Sequence, residues 1–120
     1  MRMYFFTMYN LSGIQKGIQA GHAALEYVLE HGNKDDELRD FIEQHKTFII
    51  LNGGGSITMQ DRVDELRTLG IRYSTFQEPS LNNSLSAIAF LVDEDDYNDG
   101  EFYKQKPIKQ YLNKFPLALN

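Results

Sequence analysis

The chain is expected to form one α/β domain, residues 1–120, with a four-stranded mixed β-sheet flanked by helices. Three observations predict this. Short β-rich apolar runs alternate with helical segments in the order β-α-α-β-α-β-β-α. No repeat, low-complexity tract or linker divides the chain, and 120 residues suffice for one core. The composition, 42% hydrophobic and 24% charged, is that of an ordinary globular protein.

"RMYFFTM", residues 2–8, is apolar and rich in β-formers, a strand. Asn10 or Ser12 can cap the helix that follows, "LSGIQKGIQAGHAALEYVLEHG". Its apolar residues Ile14, Ile18, Leu25 and Leu29 recur at spacings of four and seven, the stripe of a core-facing helix. Gly32 is placed to end it. "DDELRDFIEQH" makes a second, shorter helix with acids at its start, where the helix dipole favours them. "KTFIIL" is a strand continuous enough to be buried on both faces. "NGGGS" breaks that strand, Thr58 can cap a helix running to about Leu69, and Gly70 stops it. "IRYSTFQ" and "SAIAFLV" are two further strands joined by the turn "EPSLNNS". A final helix spans residues 102–115, interrupted by Pro107.

With no cysteine, a disulfide scaffold, a thiolate metal site and a cysteine nucleophile are excluded. His22, His31 and His45 have no ligand spacing, so neither metal nor cofactor is expected. The amino-terminal apolar run is too short to span a membrane and no cleavage site follows it, so no membrane partner and a cytoplasmic location are expected. A net charge of −5 disfavours broad nucleic-acid binding. That charge is uneven. Residues 1–25 hold only Arg2 and Lys16 and no acid, whereas the loop 93–101 alone holds six acids. A small anion could bind near the first helix, while a long polyanion would be repelled elsewhere.

Gly13, Gly17 and Gly21 interrupt the first helix, although glycine costs roughly 0.5–1 kcal/mol there relative to alanine. Either they bare the backbone beside Lys16 for an anion at the helix start, or they let another element pack closely. His22 is either a partly buried histidine satisfied by its surroundings or a general base. "NGGGS" lacks the terminal G-K-[ST] of a phosphate loop. The turn "EPSLNNS" offers Glu78, Ser80, Asn82, Asn83 and Ser84, more polar groups than a turn needs, though Asn and Ser are also ordinary turn formers.

The run Gln19-Ala20-Gly21-His22-Ala23-Ala24 after a strand resembles the first helix of the type 2 peptidyl-tRNA hydrolases. The order of the later elements is similar too, over nearly the whole chain. The resemblance implies a four-stranded mixed sheet, frequent homodimers, and metal-independent cleavage of the ester between a peptide and the terminal ribose of tRNA. It implies a catalytic set of His22, Glu78, Asn82 and Lys16, with Asn10, Ser12, Gly13, Gln15, Gln19, Asn83 and Ser84 binding the ligand. Three places depart from the family pattern. Gln15 stands where the family has a lysine, with Lys16 one residue on, about 100° around a helix. Glu78 and Asn82 stand where it has an aspartate and a threonine. In size and composition the chain also looks like small phage-encoded proteins, some of which bind or cleave nucleotide immune signals. The expectation is therefore a metal-independent hydrolase of an RNA-derived or nucleotide ester. The alternative is a phage-type nucleotide-binding protein that sequesters or cleaves a small (cyclic) nucleotide immune signal, without peptidyl-tRNA hydrolase activity.

Overall fold

The sheet is built around the two most continuous apolar runs of the chain. In the computed structural model, which describes residues 1–93 and 107–119, β1 (Arg2–Met8) and β4 (Ser84–Val92) lie side by side at its centre. β2 (Phe48–Gly54) and β3 (Tyr73–Glu78) form its edges, giving the order β2-β1-β4-β3. β1 is parallel to β2 and antiparallel to β4, and β3 is antiparallel to β4. The expected mixed four-stranded sheet and element order are both present.

Alternation along β1 sends its side chains into two cores. Met3 and Phe5 meet α1 (Gly13–His31) through Ala20, Ala23 and Tyr27, and the α2 region (Asp36–Asp40) through Leu38. Tyr4, Phe6 and Met8 meet α3 (Met59–Thr68) through Met59, Val63 and Leu66, and α4 (Pro107–Leu112) through Ile108, Tyr111 and Leu112. The molecule is thus three layers, with the sheet between two pairs of helices. The ring of Phe6 lies 4.8 Å from that of Phe115 and 5.4 Å from that of Phe90, between centroids. Arg62 fastens α3 to the carboxy-terminal segment. Its guanidinium grips Glu65 at 2.6 and 2.9 Å, donates to the Gly53 carbonyl at 3.2 Å and lies over the Phe115 ring. Tyr111 donates to the same Glu65 carboxylate at 2.7 Å.

Several local expectations are corrected. The stripe Ile14, Ile18, Leu25 and Leu29 faces outward: Ile14 is 79% and Leu29 80% exposed. The buried face of α1 instead carries Lys16, Gln19, Ala20, Ala23 and Tyr27. Small residues on both sides, Ala20 and Ala23 on the helix and Ala87 and Ala89 on β4, let helix and sheet pack closely. β2, an edge strand, is only partly buried along its length, with Phe48 half-exposed, so it is not buried on both faces. Its open edge is partly covered by the carboxy-terminal strap, in which Pro116 accepts from the Asn52 amide and Ala118 donates to the Ile50 carbonyl. α2 continues as a wider π-type turn over Phe41–His45. Among the described residues α4 spans Pro107–Leu112 and ends before Phe115. Residues 94–106, with most of the acidic loop and the expected start of the last helix, lie outside the described residues.

Candidate ligand site beneath the first helix

Ser12 caps α1 through a reciprocal box: its hydroxyl accepts from the Gln15 amide at 3.1 Å, and the Gln15 side chain accepts from the Ser12 amide at 3.2 Å. Both side chains therefore hold the helix start and turn away from the sheet. Asn10 lies exposed in the preceding loop, and Gly13 is the first helical residue.

Inward, three polar residues join across the helix–sheet interface. The buried Gln19 amide donates to Glu78 at 3.1 Å, and its oxygen accepts from the fully buried Ser86 hydroxyl at 2.6 Å. Ser86 also lies 3.2 Å from the Phe76 carbonyl. A donor on one side and an acceptor on the other fix the orientation of the Gln19 amide. The second Glu78 oxygen faces the Ser80 amide at 3.5 Å, closing the short turn Pro79–Leu81. His22, one turn further along α1, stacks on Phe76 with ring centroids 4.6 Å apart and planes 24° apart.

Lys16 points the other way, toward the β2 edge. It is only 4% exposed, and its ammonium donates to the Leu119 carbonyl of the strap at 3.0 Å. On the same side of the sheet, Thr7 and Asn52 are register partners on β1 and β2. Thr7 Oγ1 and Asn52 Oδ1 are both buried and, among the described residues, have no hydrogen-bond partner. Groups of this kind cost about 1–3 kcal/mol each when unsatisfied, so such oxygens are where a ligand or water gains most.

The structure brings Gln19 and Glu78 together and sets His22 beside them, with Lys16 at the other end of the same helical face. It does not bring the turn asparagines in. Asn82 and Asn83 are exposed and adopt left-handed backbone (φ 59° and 58°), which explains their identity by turn geometry. Ser84 begins β4 opposite Glu78. Among the described residues Gly17 and Gly21 pack against nothing: a Cβ at either would meet no atom within 4 Å. Close packing within this chain is therefore not their purpose.

Sequence reasoning missed Ser86, Phe76, Thr7, Asn52 and the strap. The available signal was a small hydroxyl residue inside an otherwise apolar strand, Thr7 in "RMYFFTM" and Ser86 in "SAIAFLV". No known protein family matches the chain, and no curated protein does. Among the described residues no group of three His, Cys, Asp or Glu side chains could hold a metal ion, and no helix is long and apolar enough to cross a membrane.

Proposed function

We propose that the chain binds a small anionic nucleotide between the inner face of α1 and the sheet. The observation that carries this reading is Lys16. A buried ammonium loses its hydration, and a neutral carbonyl is a modest replacement; a phosphate is the stronger complement. Thr7 and Asn52 offer a free hydroxyl and a free amide oxygen, the groups that pair with phosphate and ribose. The His22–Phe76 stack lies six residues, about 9 Å, further along the helix, within the span of one nucleotide. Its rings suit a base.

The test is thermal melting of the pure protein with linear and cyclic nucleotides and a peptidyl-tRNA mimic, each mixture then analysed for cleavage. Ligand at about 100 times its dissociation constant adds roughly 2.7 kcal/mol, a shift of several degrees. The shift should vanish in Lys16→Met. A protein that melts at one temperature with every nucleotide refutes the proposal.

A second reading, a peptidyl-tRNA-hydrolase-like esterase, is favoured by Glu78, whose carboxylate Gln19 and the Ser80 amide orient. Such a carboxylate can position and deprotonate water. Glu78→Gln would then bind as before but release no product. Ligand recovered unchanged from the wild-type protein sinks this second reading and leaves sequestration.

A further inference from the structure

The strap over residues 116–119 is held to the sheet by its backbone, with its larger side chains left mostly in water. The Asn52 amide donates to the Pro116 carbonyl and the Ala118 amide to the Ile50 carbonyl, both at 2.9 Å, flanking the bridge between Leu51 and Leu117. Leu117 is 58% and Leu119 73% exposed. Side chains in that state add little of the apolar burial that keeps a segment closed. Few buried contacts, and backbone bonds at an exposed edge, mark a segment that opens locally at small free energy. Its remaining tie is the Leu119 carbonyl, which accepts from Lys16 at 3.0 Å.

We infer that the strap is a gate displaced by the phosphate of an entering nucleotide, so that filling the site frees residues 116–119 from the β2 edge. The inference rests on the nucleotide reading above and adds the regulation of that site. Lys16 is 4% exposed, so the approach to its ammonium is shut while the strap is in place. The Leu119 oxygen stands at hydrogen-bond distance from Nζ, where a phosphate oxygen would stand, and two oxygens cannot share that place. The exchange has a direction, because a bond between two ionised groups is stronger than one from an ammonium to a neutral carbonyl.

The closed strap covers the site without completing it. Thr7 Oγ1 and Asn52 Oδ1, on the same side of the sheet, keep no hydrogen-bond partner among the described residues. Asn52 belongs to both states: its amide holds the strap, and its side-chain oxygen lacks the partner that a ligand supplies. A site that binds only when open has its affinity reduced by the open fraction. Weakening the strap therefore tightens binding, the reverse of what loss of a ligand contact does.

The experiment is an NMR titration of the full chain with adenosine monophosphate and, separately, with inorganic phosphate, on the wild type and Ala118→Pro. Proline suits an extended strap but has no N–H for the Ile50 carbonyl. Ala118→Pro should bind each probe about three- to tenfold more tightly, the equivalent of one hydrogen bond. Adding Lys16→Met to it should abolish that binding. In the wild type, saturating probe should speed exchange of the Ala118 amide severalfold, whereas a ligand that leaves the strap closed does not. Should proline unfold the chain, the wild-type exchange rate decides alone. Binding with Ala118 exchange unchanged or slowed, or with equal affinity in the two proteins, overturns the gate and leaves the nucleotide site standing. If neither probe binds either protein, the nucleotide reading falls and the gate with it.

Discussion

Tyr111→Phe removes one hydroxyl from the contact between α3 and α4, and its effect should depend on pH in a defined way. Tyr111 is 7% exposed and donates to Glu65 at 2.7 Å, while Arg62 holds both oxygens of that carboxylate. The variant keeps the Arg62–Glu65 pair and loses one hydrogen bond to a charged acceptor, about 1.5 kcal/mol near pH 8. Burial raises the phenol well above its ordinary value of 10.0, and the bond to Glu65 raises it further. Because the folded state holds the proton more tightly, this stabilisation is complete below pH 10 and is lost as pH rises above it. The loss is about 1.36 kcal/mol per pH unit, since only the unfolded chain releases the proton. By about pH 11 the unfolded wild type gains RT ln 11, roughly 1.4 kcal/mol, which phenylalanine cannot supply. The wild-type advantage should therefore nearly close between about pH 8 and pH 11. Urea unfolding of both proteins at a series of pH values measures it directly. A gap that stays constant across that range would refute the geometry of the Tyr111–Glu65 bond and the burial argument with it.

Two further substitutions test the core and the site's support. Gly53→Ala should destabilise by about 1–3 kcal/mol, because its Cβ would stand 2.6 Å from Met59 Sδ and 2.7 Å from Phe6 Cβ, both fully buried. A denaturation midpoint equal to the wild type would show that this corner is looser than described. Ser86→Ala leaves the Gln19 oxygen buried without a donor, at a cost of about 1–3 kcal/mol. It should lower the melting temperature and weaken nucleotide binding together, and a fall in one alone would separate Gln19 from the site.

The fold was legible because it depends on patterns several residues long. "RMYFFTM" and "SAIAFLV" are β-rich enough to claim the sheet centre, and Ser12 caps α1 as its side chain implies; Thr58 takes the N-cap place of α3, but its hydroxyl accepts from the Gly55 amide instead of capping the helix. What periodicity could not reveal is which neighbour a face meets. The spacing of the α1 stripe marks it as core-facing, because apolar faces usually are, yet the face that meets the sheet is the one carrying Ala20, Ala23 and Tyr27 with the polar Lys16 and Gln19. β2 was read as doubly buried from "FIIL", although its apolar run covers an edge that the strap closes with two backbone hydrogen bonds. In the site, Gln19 and Glu78 were picked out singly, but their contact spans 59 residues and no local pattern encodes it. Ser86 is inconspicuous because one hydroxyl beside six apolar residues does not break a strand signal.

The inverted polarity of α1 leads to a test of what Lys16 is for. An ammonium that is 4% exposed has given up nearly all its water, which its one hydrogen bond among the described residues, to a neutral carbonyl, does not restore. Methionine has nearly the same length, needs no solvation and fills irregular space well. If Lys16 is kept for a ligand, Lys16→Met should make the empty protein more stable, by about 1 kcal/mol, while abolishing the nucleotide-induced melting shift. The opposite case is equally definite. If Lys16 serves to tie the strap to α1, methionine releases residues 116–119 from the β2 edge, and the protein is destabilised by the value of that bond, about 1 kcal/mol. Amide exchange at Asn52 and Ala118, which make the strap's two backbone bonds, separates the cases. Unchanged protection with raised stability assigns Lys16 to binding; lost protection with lowered stability assigns it to the strap and removes the main support for a nucleotide site.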